Sequence, residues 1–81
     1  MATFLESWSE NKPGVILNLY GGMTGAVGNT IHPWDCRHVK TMKITRRLKK
    51  VWAKSEDDLR SWMKLKGIKL DPQHPRCSEC N

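Results

Sequence analysis

The chain has 81 residues and a formal net charge of +6, with 14 Lys and Arg against 8 Asp and Glu. That length holds one domain, and so small a core leaves little margin over conformational entropy, so a metal, disulfides or a partner often acts as a staple. Three cysteines exclude a complete intramolecular disulfide framework, and the longest apolar run, Val15-Ile16-Leu17, is far too short to cross a bilayer.

Met-Ala-Thr-Phe-Leu-Glu-Ser-Trp at the start has no basic n-region, so no secretory signal is expected. A reducing intracellular compartment, cytoplasm or nucleus/nucleoid, is the matching expectation, with thiols serving as ligands or as small hydrophobes. Residues 1–12 are polar with scattered Phe4, Leu5 and Trp8, and read as a short helix or a mobile N-terminal arm. Pro13-Gly14 is a turn signal. Val15 to Tyr20 is β-branched and aromatic, bounded by Gly21-Gly22, and reads as a strand. The glycine-rich loop that follows, with Gly21, Gly22, Gly25 and Gly28, allows a hairpin returning through Thr30-Ile31.

From Asp35 to Lys66 there is neither Gly nor Pro. Over residues 41–54 two templates compete. A helix aligns Ile44, Leu48, Val51 and Trp52, whereas a strand aligns Met42, Ile44, Leu48 and Trp52. Strand is preferred, because Lys-Val-Trp-Ala-Lys-Ser-Glu-Asp-Asp-Leu looks like a strand leading straight into a capped helix. Ser55 as N-cap, Glu56, Asp57 and Asp58 in the first turn, and Gly67 after Lys66 predict a helix over about 56–66. Ile68-Lys69-Leu70 reads as a short strand ended by Asp71-Pro72, and residues 71–81 as a tail carrying metal ligands. The expected architecture is a single α+β domain over 1–81, short antiparallel strands with one main helix, stapled by zinc.

Cys77-Ser-Glu-Cys80 has the C-x₂-C spacing that lets two thiolates converge on one ion. Cys36-Arg-His38, about forty residues upstream, can complete a tetrahedral shell. The candidate ligands are therefore Cys36, His38, Cys77 and Cys80, with His74 and His32 in reserve and zinc as the ion. Charge is the second signal. Residues 1–36 carry one base against three acids, and residues 37–81 carry thirteen against five. Arg37, Lys40, Lys43, Arg46, Arg47, Lys49, Lys50 and Lys54 lie in a stretch without a single acid, the pattern that neutralises phosphates of DNA or RNA. Trp34 and Trp52 are candidates to stack on unpaired bases, although Trp52 and Trp62 fit a core equally well.

Gly22-x-x-Gly25-x-x-Gly28 lacks the Gly-Lys-Ser/Thr ending of a phosphate loop. Gly25-Ala-Val-Gly28 has bare G-x-x-G spacing in a setting that does not match an RNA-binding KH loop. No G-x-S-x-G or H-E-x-x-H occurs, and Arg76 separates Pro75 from Cys77 where a zinc deaminase needs P-C-x-x-C. The expectation is a binding domain rather than an enzyme, engaging nucleic acid through Arg37–Lys54. The rival reading is a protein-interaction module, a small regulator or inhibitor of a size compatible with virus or phage encoding. It would dock on a larger acidic protein through Trp8, Trp34 or Tyr20.

Overall fold

Val15–Leu19 (β2) presents Val15, Leu17 and Leu19 to one side and Ile16 to the other, so it has apolar residues for two faces. In a computed structural model of the chain, which describes residues 2–78, β2 is an inner strand of a four-stranded antiparallel sheet. Asn29–Pro33 (β3) and Lys50–Ala53 (β4) flank it, and Thr3–Leu5 (β1) pairs with the far side of β4, giving the order β1-β4-β2-β3. The register sets Leu17 between Ile31 and Val51, and Ile16 between His32 and Trp52. The small α+β class with one main helix is thus the architecture found.

Each face has its own core. On one, Leu17, Leu19, Ile31, Val51 and Ala53 pack with Leu59 and Met63 of Glu56–Lys66 (α2) and with Ile68. The ends of α2 are fixed by local chemistry. Ser55 Oγ accepts the Asp58 amide at 3.2 Å, and the three acids of the first turn face the positive end of the helix dipole. At the other end Gly67 is left-handed (φ +70°), and the Ile68 amide donates to Met63 O at 2.9 Å in a Schellman closure.

On the opposite face Leu5, Ile16, Cys36 and Val39 are buried, with Trp8, Ile44, Trp52 and Cys77 packed around them. This face is covered by a 3₁₀ turn, Trp8–Glu10, and a short helix, Arg37–Thr41 (α1). The Trp8 indole N–H donates to Met42 O at 2.6 Å and joins the two.

Three sequence expectations change. Within residues 2–12 the structure has an edge strand, Thr3–Leu5, and a capped 3₁₀ turn, Trp8–Glu10, in place of the α-helix that was one expectation. Leu5 is buried on one face, while Phe4 meets Trp62 of α2 edge-on at 5.5 Å. Within 41–54 only Lys50–Ala53 is strand. Residues 42–49 form a loop held partly by itself, Thr45 Oγ1 accepting the Leu48 amide at 2.9 Å, and partly from afar, Lys49 O accepting the Leu19 amide at 3.0 Å. Ile68–Leu70 is not a strand either. The Ile68 amide belongs to the helix cap, and Lys69 O accepts from the Asn29 side chain.

Candidate metal centre

The centre depends on how residues 69–77 are laid beside β3. Asn29, fully buried, is the joint. Its Oδ1 accepts the Gly21 amide at 2.8 Å, and its Nδ2 donates to Gly22 O, Gly25 O and Lys69 O at 3.1, 3.0 and 2.9 Å. The glycine-rich loop is therefore a frame around one amide. A side chain at Gly25 would drive into Gly21 O, and Gly28, at φ +89°, lies against the Tyr20 ring. Asp71 extends the joint: its amide donates to Asn29 O at 2.9 Å, and its carboxylate accepts the amides of Gly28, Gln73 and His74. Those donors, Gly28 foremost, hold the carboxyl below its ordinary range against the opposing effect of burial.

Beyond Asp71 the chain runs along the outer edge of β3 as a strap. The Ile31 amide donates to Pro75 O at 3.0 Å, the Cys77 amide donates to Ile31 O at 2.9 Å, and Arg76 bridges Ile31 in parallel sense. Thr30 Oγ1 donates to His74 O at 2.9 Å. This pairing delivers Cys77 to the face that carries His32.

His32, Cys36 and Cys77 lie close enough to hold a metal ion, their ligand atoms all within 4.8 Å of one another. Strand β3 supplies His32. The turn closed by the Cys36 amide on Pro33 O (3.1 Å) brings Cys36 back over it, and α1 begins at the next residue. Cys36 Sγ is 3.7 Å from His32 Nδ1, and Cys77 Sγ is 3.6 Å from His38 Nδ1. A tetrahedral ion with metal–sulfur and metal–nitrogen bonds of about 2.3 and 2.0–2.1 Å separates sulfur from nitrogen by about 3.6 Å. Both pairs match that edge. His32 and Cys36 are buried, and Cys77 is half-buried. Burial, with the nearby His38 and Lys50, pushes the His32 pKa down to about 4. The imidazole is therefore neutral at pH 7, the state a metal needs.

Of the ligands expected from sequence, Cys36 and Cys77 belong to this group and His38 flanks it through Cys77. His32, expected only as a reserve, is a full member. A signal for it was available: His32-x₃-Cys36 sits across a Pro-containing turn that can fold ligands back on one another. His74 is exposed and contributes its backbone to the strap. Cys80 lies outside the described residues.

The basic stretch is divided by the fold. Arg37, Lys40, Lys43, Arg46, Arg47 and Lys49 are exposed on α1 and the 42–49 loop. Lys54 is exposed as well and pairs with Asp58 at 3.7 Å. Lys50 does not belong to that surface: it is 2% exposed, and its Nζ donates to Leu48 O at 3.0 Å. Burial pushes its ammonium pKa down. Lys50 is thus an internal pin for the loop that carries Arg46, Arg47 and Lys49. Trp52 is half-buried, with its indole N–H on Lys12 O at 2.9 Å and the Lys12 ammonium 4.3 Å from its ring centroid.

Among the described residues, no helix is long and apolar enough to cross a membrane. No family model, curated protein or solved structure matches the chain, so its functional reading rests on the geometry of the cluster and the basic loop.

Proposed function

We propose that the protein is a zinc-stabilised binding domain that engages nucleic acid through α1 and the 42–49 loop. The observation that carries this reading is the contiguity of the two features. Arg37 stands between Cys36 and His38, so the metal-capable cluster anchors the segment from which Arg37, Lys40, Lys43, Arg46, Arg47 and Lys49 project. Mixed sulfur and nitrogen donors in a buried setting suit a structural zinc, which needs neutral imidazole and thiolate, so the zinc form requires Cys36, disulfide-bonded in this structure, to be reduced. Six exposed bases on one uninterrupted stretch suit the release of counterions from a polyanion.

Two measurements test it. Native mass spectrometry of protein expressed with zinc should show one bound ion, and folded charge states should be lost on chelation. A metal-free protein that stays folded removes the zinc. Affinity for an oligonucleotide should fall with salt, at a log–log slope of about −0.7 to −0.9 per phosphate engaged. The combined Arg46→Ala, Arg47→Ala and Lys49→Ala variant should weaken binding across all sequences, and unchanged binding removes the nucleic-acid reading.

One observation favours the protein-interaction alternative. Tyr20 and Val27 are 65% and 74% exposed at the glycine-rich loop. A one-to-one protein partner retained after nuclease treatment and lost in Tyr20→Ser would favour that reading.

A further inference from the structure

Phe4, from the edge strand β1, is 43% exposed, and Trp62 meets its ring edge-on from α2. It lines a hollow of about 390 Å³ together with Leu5, Glu6, Ile44, Thr45, Arg46 and Lys49. Lys49 Nζ is 5.4 Å from the Phe4 centroid, within cation–π range. Arg46 and Lys49 also line an adjoining hollow with Arg47 and Met23, so these two bases form the ridge between both. Glu6 is the acid on the rim of the first.

We infer that this hollow is a stacking site for an unpaired base of a single-stranded nucleic acid. Phe4 would be the platform, and Arg46 and Lys49 the contacts to the flanking phosphates. The inference rests on the nucleic-acid reading above and narrows it. Three features favour this occupant. An aromatic ring with the Lys49 ammonium over it and Arg46 on the same hollow complements a π-ring joined to a phosphate. The base replaces the ammonium over the ring as the ammonium moves to the phosphate, and stacking of this kind is tolerant of sequence. Trp62 holds the ring in place, so little ordering is needed on binding. Duplex reading in the major groove calls for a helix or ribbon presented to base edges. The longest described helix, α2, opens with Glu56, Asp57 and Asp58, which repel phosphate where a recognition helix would make its contacts.

The test uses zinc-loaded full chain and a fluorescein-labelled oligothymidine of about 15 nucleotides, beside a duplex of the same length. Phe4→Leu keeps apolar volume on Trp62 but has no π-face. It should weaken binding to the single strand roughly tenfold while leaving the duplex affinity unchanged. Phe4→Tyr should restore single-strand affinity, which separates stacking from any loosening of β1. Arg46→Ala should weaken both. Equal affinities of wild type and Phe4→Leu for the single strand overturn the stacking site, while the basic-surface reading survives on the duplex and salt data. Binding of neither nucleic acid by the wild type overturns both, and leaves the hollow to a protein partner.

Discussion

At Asn29 one side chain satisfies four backbone groups that no strand or helix reaches: the amide of Gly21 and the carbonyls of Gly22, Gly25 and Lys69. Removing it leaves these part-buried polar groups unpaired, each worth up to about 1–3 kcal/mol where water does not reach it. Asn29→Ala should therefore lower unfolding free energy by about 3 kcal/mol or more, read from denaturant midpoints. Asn29→Asp should do no better, since it sets a second oxygen against three carbonyls. Lys50 is the other residue whose chemistry has a measurable signature. Its folded pKa is depressed by burial, so between that value and the unfolded lysine value near 10.4 the unfolded chain holds the extra proton. Stability contributed at this site therefore rises with pH across that window. Lys50→Met should flatten the alkaline rise relative to wild type. An identical pH profile in the two proteins would mean that the ammonium is solvated.

Among the elements, the strap and α2 make opposite demands on sequence reading. Helix α2 is capped by its own residues, so Ser55, the three acids and Gly67 announced both of its ends. Ser55→Ala should cost about 1 kcal/mol by thermal melt. The strap has no such local signal. Its backbone bonds go to Asn29, Thr30 and Ile31, some forty or more residues away, and nothing in Ile68-Lys69-Leu70 distinguishes a strand from a segment bonded by a distant amide. The same blindness hid β1, whose Leu5 and Phe4 pack on elements far along the chain. It also blurred residues 41–54, where both periodic templates were nearly satisfied while Met42 O accepts the indole N–H of the distant Trp8. The ligands were legible as residue types, Cys36 and Cys77 above all. The choice between His32 and His38 was not, because it depends on the register of β3 against β2. Lys50 reads in sequence like the bases around it, and only its pairing opposite Asn18 on an inner stretch of sheet turns it inward. The strap makes its own prediction. On chelation, the amides of Ile31 and Cys77 should lose hydrogen-exchange protection while those of Leu17 and Val51 keep theirs. Simultaneous loss throughout would mean that the strap and the sheet open as one unit.

For the whole molecule, extents of 27 × 25 × 24 Å enclose two thin cores, one on each face of a single sheet. Such a structure has little stability to lose. A metal bound only by the folded state adds about 1.4 kcal/mol for every tenfold excess of free ion over its dissociation constant. The melting temperature should therefore climb steadily with buffered free zinc in the wild type. His32→Ala and Cys77→Ser should flatten that dependence, and His74→Ala should leave it intact. If His74→Ala behaves like the other two, the ligand set is wrong.

The strap residues Asp71 to Cys77 leave the ribosome some forty or more residues after β3, and until they arrive its outer edge lacks the backbone partners they supply. The amide and carbonyl of Ile31 then form a bare template of the kind that pairs with a second chain. The strap is thus also a guard, and an ion held by His32, Cys36 and Cys77 would set how long the guard stays in place. Metal starvation should accordingly appear as concentration-dependent self-association through β3, visible as light scattering in the chelated protein, and not as simple dilution into unfolded monomers.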